Sequence, residues 1–335
     1  MLNNKEGVSA KTRDRVLKII KESHCTPNQV GPFPGATQIP LYRDGHPQHL
    51  QLFGVPGIGL GRGYGAPTAR LLPEPYFHSR RPDLEAREIE NAKARGIDGI
   101  ITSSGVLGTQ NLPRLVEEGF PVISLLRRVY DCPQLEFVIV DHFKGGYLAA
   151  EHVIRMSHSK VAVLRGPANL SPGLQRYEGA IQAAADYGIS IYSEFIRKGS
   201  FSQEFGYEST SDMLKLGNGR RPSAIVCGND DMALGSSEAI LDAGLEVGRE
   251  IAVVGFNNIK TTSLKRIEIT TISQKSQKMG RLAAKRLIER IENPDQGSSL
   301  YRKILEPQLV IRKSCGYTPG KYLIERRASA KLKRS

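Results

Sequence analysis

Arg176, Asn229, Asp230 and Asn257 are polar side chains that fall just after short apolar runs, where open α/β sheets present groups to a ligand. Arg176, in Gln-Arg-Tyr-Glu-Gly, follows the run VAVLRG. Its planar fork suits vicinal hydroxyls or a carboxylate, although a surface ion pair with Glu178 would also occupy it. Asn229 and Asp230 end the run SAIVCGN and open a helical pattern. Asn229 offers both donor and acceptor, and Asp230 is a natural helix N-cap. Asn257 follows IAVVGF. These groups can grip a polar molecule by hydrogen bonds.

Bond-breaking chemistry has little support. The chain has no G-x-G-x-x-G after a strand, no G-x-x-x-x-G-K-[ST] and no G-x-S-x-G. Of its histidines, His46, His49 and His78 fall in an anomalous segment, and His142, His152 and His158 cluster locally at one crossover. His24 beside Cys25 reads as a packing residue rather than an activator of a nucleophile. Cys25, Cys132, Cys227 and Cys315 include no C-x-x-C pair. That argues against a zinc site and a disulfide framework, and fits a reducing cytoplasm. The expectation is a binding protein without cofactor or metal.

The elements that must position these side chains follow from length and pattern. The chain has 335 residues, 39% hydrophobic and 24% charged, which suits real cores, and a single core stops growing near about 250 to 300 residues. Two subdomains are therefore expected. No stretch of about 18 apolar residues predicts a membrane span, and no signal peptide opens the chain. A net charge of +13 favours polyanionic partners, although the basic tail at residues 319–335 reads as a solvated end more than as a nucleic-acid arm.

From Arg80 onward, helical patterns alternate with short buried strands: AREIENAKARG into Gly99-Ile-Ile-Thr, LPRLVEEGF into Pro121-Val-Ile-Ser-Leu, then Phe137-Val-Ile-Val-Asp. A second series places strands at VAVLRG, SAIVCGN and IAVVGFN. Apolar strands separated by helices predict parallel sheets covered on both faces. The fold class is α/β, with two doubly wound parallel-sheet subdomains.

Residues 31–79 break the pattern, with 17 Gly plus Pro in 49 positions and only five charged residues. They predict an irregular, disordered segment, whether a low-complexity insert or a stretch translated out of frame. Back-translation shifted by one base permits Val-Ile-Pro-Asn-Ile-Ser-Asn-Ser over Gly45 to Leu52, an apolar strand ending in a polar loop.

The opening LNNKEGVSAKTRDRVLKIIKESHCTPNQV resembles the end of the DNA-binding headpiece of the LacI/GalR family of bacterial transcription regulators. GNDDMALGSSEAI, IAVVGFNN, ITTISQKSQKMGRLAAKRLIERI and ILEPQLVIRKSC resemble its effector-binding core, in order. The shifted reading of 31–79 also resembles the family's hinge and first strand. The resemblance implies a helix-turn-helix headpiece remnant at 1–30 and a periplasmic-binding-protein-like core. It implies an N-terminal subdomain of 80–158 with 274–302, and a C-terminal one of 159–273 with 303–318.

The resemblance also assigns roles. Arg176 matches the arginine that clamps the effector, and Phe201 an aromatic that covers its apolar face, with a core or lid position as the alternative. Asn257 stands where the family most often has Asp, which keeps an acceptor but removes a charge. Gln274, in the crossover back to the first subdomain, is a further candidate. The family loop after the first strand also contributes contacts, and its replacement here by His-Pro-Gln-His-Leu-Gln implies weak binding and an exposed strand edge. Gly280 to Glu292 is implied as a dimer element, or else as a covering helix.

The family's recognition helix precedes the point where this sequence begins. Asn3, Asn4, Lys11, Arg13 and Arg15 are then left to hold phosphates, which gives salt-sensitive contact without sequence information. An amphipathic helix with Val16, Ile19 and Ile20 inward explains the same residues. The expectation is a homodimeric cytoplasmic regulator, most simply a repressor, that senses a sugar or similar small molecule and binds its DNA operator weakly. An intracellular small-molecule-binding module, or a non-functional remnant, without specific DNA binding is the alternative.

Overall fold

The structure is a computed structural model that describes residues 37–43, 46–53, 82–94, 98–103, 110–216, 219–294 and 299–317. The DNA-contact candidates Asn3, Asn4, Lys11, Arg13 and Arg15, the basic tail and most of 31–79 lie outside them. In chain order the elements begin with β1 (Thr37–Arg43), β2 (His46–Phe53), α1 (Pro82–Ala94), β3 (Gly99–Thr102), α2 (Asn111–Glu117), β4 (Val122–Leu125) and β5 (Glu136–Val140). There follow α3 (His142–Arg155), β6 (Val161–Arg165), α4 (Ser171–Asp186), β7 (Ile196–Lys198), α5 (Gln203–Leu214), β8 (Ala224–Cys227) and α6 (Asp230–Asp242). The chain continues through β9 (Ala252–Asn257), β10 (Thr270–Ser273), α7 (Ser276–Glu292), β11 (Arg302–Leu305) and β12 (Gln308–Val310).

Two six-stranded sheets result, ordered β1-β2-β3-β4-β5-β11 and β12-β10-β9-β8-β6-β7. Among the described residues only β1 with β2 and β12 with β10 pair antiparallel. Strands β3–β6 and β8–β10 are buried on both faces because their apolar residues alternate between two cores. Val161 and Val163 join one cluster and Ala162 and Leu164 the other; Ala224 and Val226 part from Ile225 and Cys227 in the same way.

Helix α3 crosses α4 at contact distance. A Cβ on Gly146 would collide with the Arg176 carbonyl, and one on Gly179 with the Phe143 carbonyl. Only glycine admits that approach.

Two features differ from the sequence reading. The segment read as irregular contains the β1–β2 hairpin, and β2 pairs parallel with β3, Leu50 opposite Gly99. The expected exposed edge of β3 is thus occupied. The alternations Ile39, Leu41 and Leu50, Leu52 carry a strand signal that a Gly plus Pro count averages away. Pro47 precedes the part of β2 that pairs with β3, so its missing N–H costs that ladder nothing.

The subdomain edges also move. Helix α3 packs on α4, β6 and β8–β10 rather than on the first sheet, so the chain crosses at Asp141 and not at 158. Strand β11 pairs with β5 through Leu305, past the expected edge at 302. Helix α7 packs on β3, β4 and β5 and buries Met279, Ala283 and Leu287, the covering role that the sequence reading allowed beside a dimer element.

Candidate functional site

Between the two sheets the chain crosses at Asp141, at Gln274–Lys275 and at 306–307, and the polar side chains converge beside these crossings. Asp141 caps α3 by accepting from the Lys144 N–H at 2.8 Å. That places His142, fully enclosed, beneath Arg176 on the neighbouring helix. The His142 Nε2 donates to the Leu126 carbonyl at 2.8 Å, leaving Nδ1 to accept from the Arg176 Nε at 3.3 Å. Burial, reinforced by the Arg176 charge, holds His142 well below the usual imidazole value, so it is neutral.

Arg176 is 8% exposed. Its Nη1 donates to the Gly228 carbonyl at 2.6 Å, and its guanidinium carbon lies 3.6 Å from the centroid of Phe256 and 5.8 Å from that of Phe201. Desolvation brings its pKa down to about 9, with Asp230 opposing and Arg127 reinforcing the fall. The alternative of a surface ion pair with Glu178 does not describe this buried, stacked position.

The sequence expectation for Asn229 and Asp230 is exchanged in the structure. Asn229 is the N-cap of α6, its Oδ1 accepting from the Met232 N–H at 3.0 Å, while its Nδ2 donates to the Phe201 carbonyl and to Asp231 Oδ2. The amide thereby anchors the loop that carries Phe201. Asp230 is the buried group: Oδ1 accepts from Thr271 Oγ1 at 2.6 Å and Oδ2 from the Ile259 N–H at 2.8 Å. Burial raises its pKa to about 6 against these bonds. Asn and Asp cap helices equally well, so composition alone could not separate the two.

Phe201 lies against Gly166 and Gly228, where a Cβ on Gly166 would meet its ring. Asn257 and Gln274 sit at the carboxyl ends of adjacent parallel strands, Asn257 opposite Ser273. The Asn257 Oδ1 and Gln274 Oε1 are buried acceptors without a hydrogen-bond partner. Asn257 also holds φ at 118°, a strained value for a residue with a side chain.

The sequence reading missed Arg127, which follows β4 as the other candidates follow their strands. Its Nη1 is shut off from solvent and has no hydrogen-bond partner. Burial lowers its pKa to about 10, Glu85 opposing. His142 and Phe256 were missed too, their apolar contexts giving no sign of ligand chemistry.

The loop carrying Arg127 touches both layers. Besides Leu126, the Arg128 N–H donates to Ser171 Oγ at 3.1 Å, and Gln175 Nε2 donates to the Tyr130 hydroxyl at 2.7 Å. Among the described residues no group of three His, Cys, Asp or Glu could hold a metal ion, and no helix is long and apolar enough to cross a membrane. Burial raises the thiols of Cys132, Cys227 and Cys315, that of Cys227 to about 12. Together these features make a hydrogen-bonding and stacking site.

Comparison with known proteins gives one direction. The family described as "Periplasmic binding proteins and sugar binding domain of LacI family" matches residues 78–308. The HTH-type transcriptional repressor PurR of Haemophilus influenzae is 31% identical over 239 residues, which cover 71% of this chain and 70% of the repressor. The PurR of Mannheimia succiniciproducens is 30% identical over 233 residues, 70% of this chain and 69% of that one.

A LacI-family regulatory protein from Chloroflexus aggregans superposes with a TM-score of 0.62 at 26% identity, covering 71% of this chain and 83% of the other. The transcriptional regulator CelR in complex with cellobiose gives 0.65 at 21% identity over 93% of each chain, a likeness of fold.

Proposed function

This chain belongs to the LacI family of DNA-binding transcription regulators with an effector-binding core, and from that premise we propose that it is a cytoplasmic, homodimeric repressor that senses a sugar or similar polyhydroxylated molecule. The effector lies between the layers. Arg176 and Phe201 hold its polar edge and apolar face, Asn257 Oδ1 and Gln274 Oε1 accept from its hydroxyls, and Asn229 and Asp230 fix the wall behind them.

One observation carries this reading: two buried acceptors stand unpaired at neighbouring strand ends, one of them next in sequence to Phe256, on whose ring the Arg176 guanidinium is stacked. A buried acceptor without a donor costs about 1–3 kcal/mol, which a hydroxyl would recover. The CelR structure with cellobiose supports a sugar as the class.

Occupancy favours the closed arrangement, because only there do both layers touch the ligand. The contacts of the 126–130 loop with His142, Ser171 and Gln175 are the part that reports closure, being made between the layers. Closure passes to the operator through the N-terminal segment, where Asn3, Asn4, Lys11, Arg13 and Arg15 are assigned to phosphates. That contribution weakens steeply with salt.

A thermal-shift titration of the full chain against neutral and acidic sugars tests the reading. A saturable rise in melting temperature that disappears in Arg176→Ala is the expected result. A rise unchanged in that variant removes Arg176 from the site.

A further inference from the structure

We propose that His142 is a positioning residue for the effector, taking its tautomer from the Leu126 carbonyl on the first layer and with it aiming the Arg176 guanidinium on the second. This rests on the effector reading above and adds the residue that sets the clamp.

The imidazole stands between two groups of fixed polarity. The Leu126 carbonyl, 2.8 Å from Nε2, can only accept, and the Arg176 Nε–H, 3.3 Å from Nδ1, can only donate. One form of the ring satisfies both: neutral, with its proton on Nε2 and a lone pair on Nδ1. The other neutral tautomer would set a lone pair against the carbonyl and an N–H against the guanidinium, and the imidazolium would keep the second of these clashes. Burial, the Arg176 charge and that of Arg127, next in sequence to Leu126, hold the ring neutral against the pull of the Leu126 bond.

The ring has little room to turn away. Asp141 caps α3 at the crossing and so starts the helix with His142. The residue is 1% exposed, its ring centroid 5.9 Å from that of Phe256. The next turn is pressed as closely: a Cβ on Gly145 would strike the Phe256 ring, and one on Gly146 the Arg176 carbonyl. The turn that presents the Leu126 carbonyl is fixed as well. Leu126 holds a left-handed φ of 69° and donates its N–H to the Val138 carbonyl at 3.1 Å, while Ser124 Oγ donates to the Arg127 carbonyl at 2.9 Å.

Arg176 is thereby held at two of its three nitrogens. Nε is taken by His142 and Nη1 by the Gly228 carbonyl at 2.6 Å, while Nη2 has no acceptor among the described residues. Nη2 is the end of the fork left for a ligand. Without the Nδ1 acceptor the guanidinium regains freedom about its last bonds, and the effector has to supply that ordering. Parting of the layers acts in the same direction: once the Leu126 carbonyl withdraws, only Arg176 itself keeps the proton on Nε2. The grip on the second layer is in this way tied to the position of the first, a differential contact of the kind that links binding to closure.

The test has two arms. Imidazole nitrogen NMR of the unliganded full chain, with His142 assigned by its loss in His142→Asn, should show a proton on Nε2 and a bare Nδ1. The Nδ1 resonance should move in Arg176→Met, which keeps the apolar stem but no N–H. Calorimetric titration then uses the tightest binder among glucose, ribose, cellobiose and glucuronate. His142→Phe, which keeps a ring but neither nitrogen, should bind it about tenfold or more weakly. His142→Asn should bind within about threefold of the parent chain, because its Oδ1 stands near the place of Nδ1 and accepts from Arg176 without needing a tautomer.

A proton on Nδ1, or an Nδ1 resonance unmoved by Arg176→Met, would overturn the inference before any sugar is added, whether or not His142→Phe folds. So would His142→Phe binding as the parent chain does, or His142→Asn losing as much as His142→Phe, since packing alone would then account for the ring. In each of these cases a sugar still bound through Arg176 leaves the effector reading intact. No binding by any of the four would overturn that reading, and this inference with it.

Discussion

The two walls of the cleft are built differently. On the second layer, the groups at the end of β8 are committed to the protein itself: Asn229 caps a helix and holds the Phe201 loop, and Asp230 ties β10 to the turn after β9. On the first layer, the end of β4 offers Arg127 with an unpaired Nη1. The contrast separates a wall whose polar groups are already paired from one with a polar group to spare, and on the proposed reading only the first needs no ordering when a ligand arrives.

The largest expected effect is on the assembled wall. Gly146→Val drives a branched side chain into the Arg176 carbonyl and should lower unfolding free energy by about 3 kcal/mol or more, read from urea denaturation; a loss under about 1 kcal/mol would mean that α3 and α4 can part without consequence. Asp230→Ala leaves the Thr271 hydroxyl and the Ile259 N–H without their acceptor. It should cost about 2–4 kcal/mol, judged by the usual penalty for stranded buried donors.

Acidity separates the groups further. Asp230 titrates at about 6 when folded against 3.8 ordinarily, burial being the cause, so the folded chain holds the extra proton and stability falls as pH rises from about 4 to about 6. His142 is displaced in the other direction, to well below 6.5. Its contribution is complete above that value and is lost as pH falls below it. Melting temperatures across pH 4 to 8 should therefore fall more steeply on the acid side in Asp230→Asn than in the parent chain, because the opposing Asp230 slope is gone while those of His142 and of His152, which burial lowers to about 4, remain. An identical profile in the variant would contradict the assigned burial of Asp230.

The smallest effect has the opposite sign. Arg127→Gln removes a half-buried guanidinium whose Nη1 is stranded, at the loss of its attraction to Glu85, and should raise the stability of the unliganded chain, by about 1 kcal/mol. A loss of that size instead would place Arg127 among the committed groups and erase the contrast between the walls.

How much of this could be read from sequence depended on the kind of signal. The strands and helices from Arg80 onward were legible because apolar alternation and helical spacing are local patterns. Arg176, in the helix after a strand, was legible mainly through the family resemblance of Gln-Arg-Tyr-Glu-Gly. Arg127, two residues past β4, sits in Leu-Leu-Arg-Arg, where adjacent arginines read as surface charge, and only tertiary placement shuts off its Nη1. The crossing at Asp141 was misjudged because a helix carries no mark of the sheet it will cover. The β1–β2 hairpin was hidden by the glycines and prolines around it.

Hydrogen–deuterium exchange of the full chain, with and without the sugar that binds it best, tests the cleft most directly. Slowed exchange is expected on both layers together: in 126–130 of the first, and in 228–231 and 257–259 of the second, with 274–276 at the crossing. Protection confined to one layer, or a bound sugar that leaves all of these segments unchanged, would contradict a ligand held between the walls.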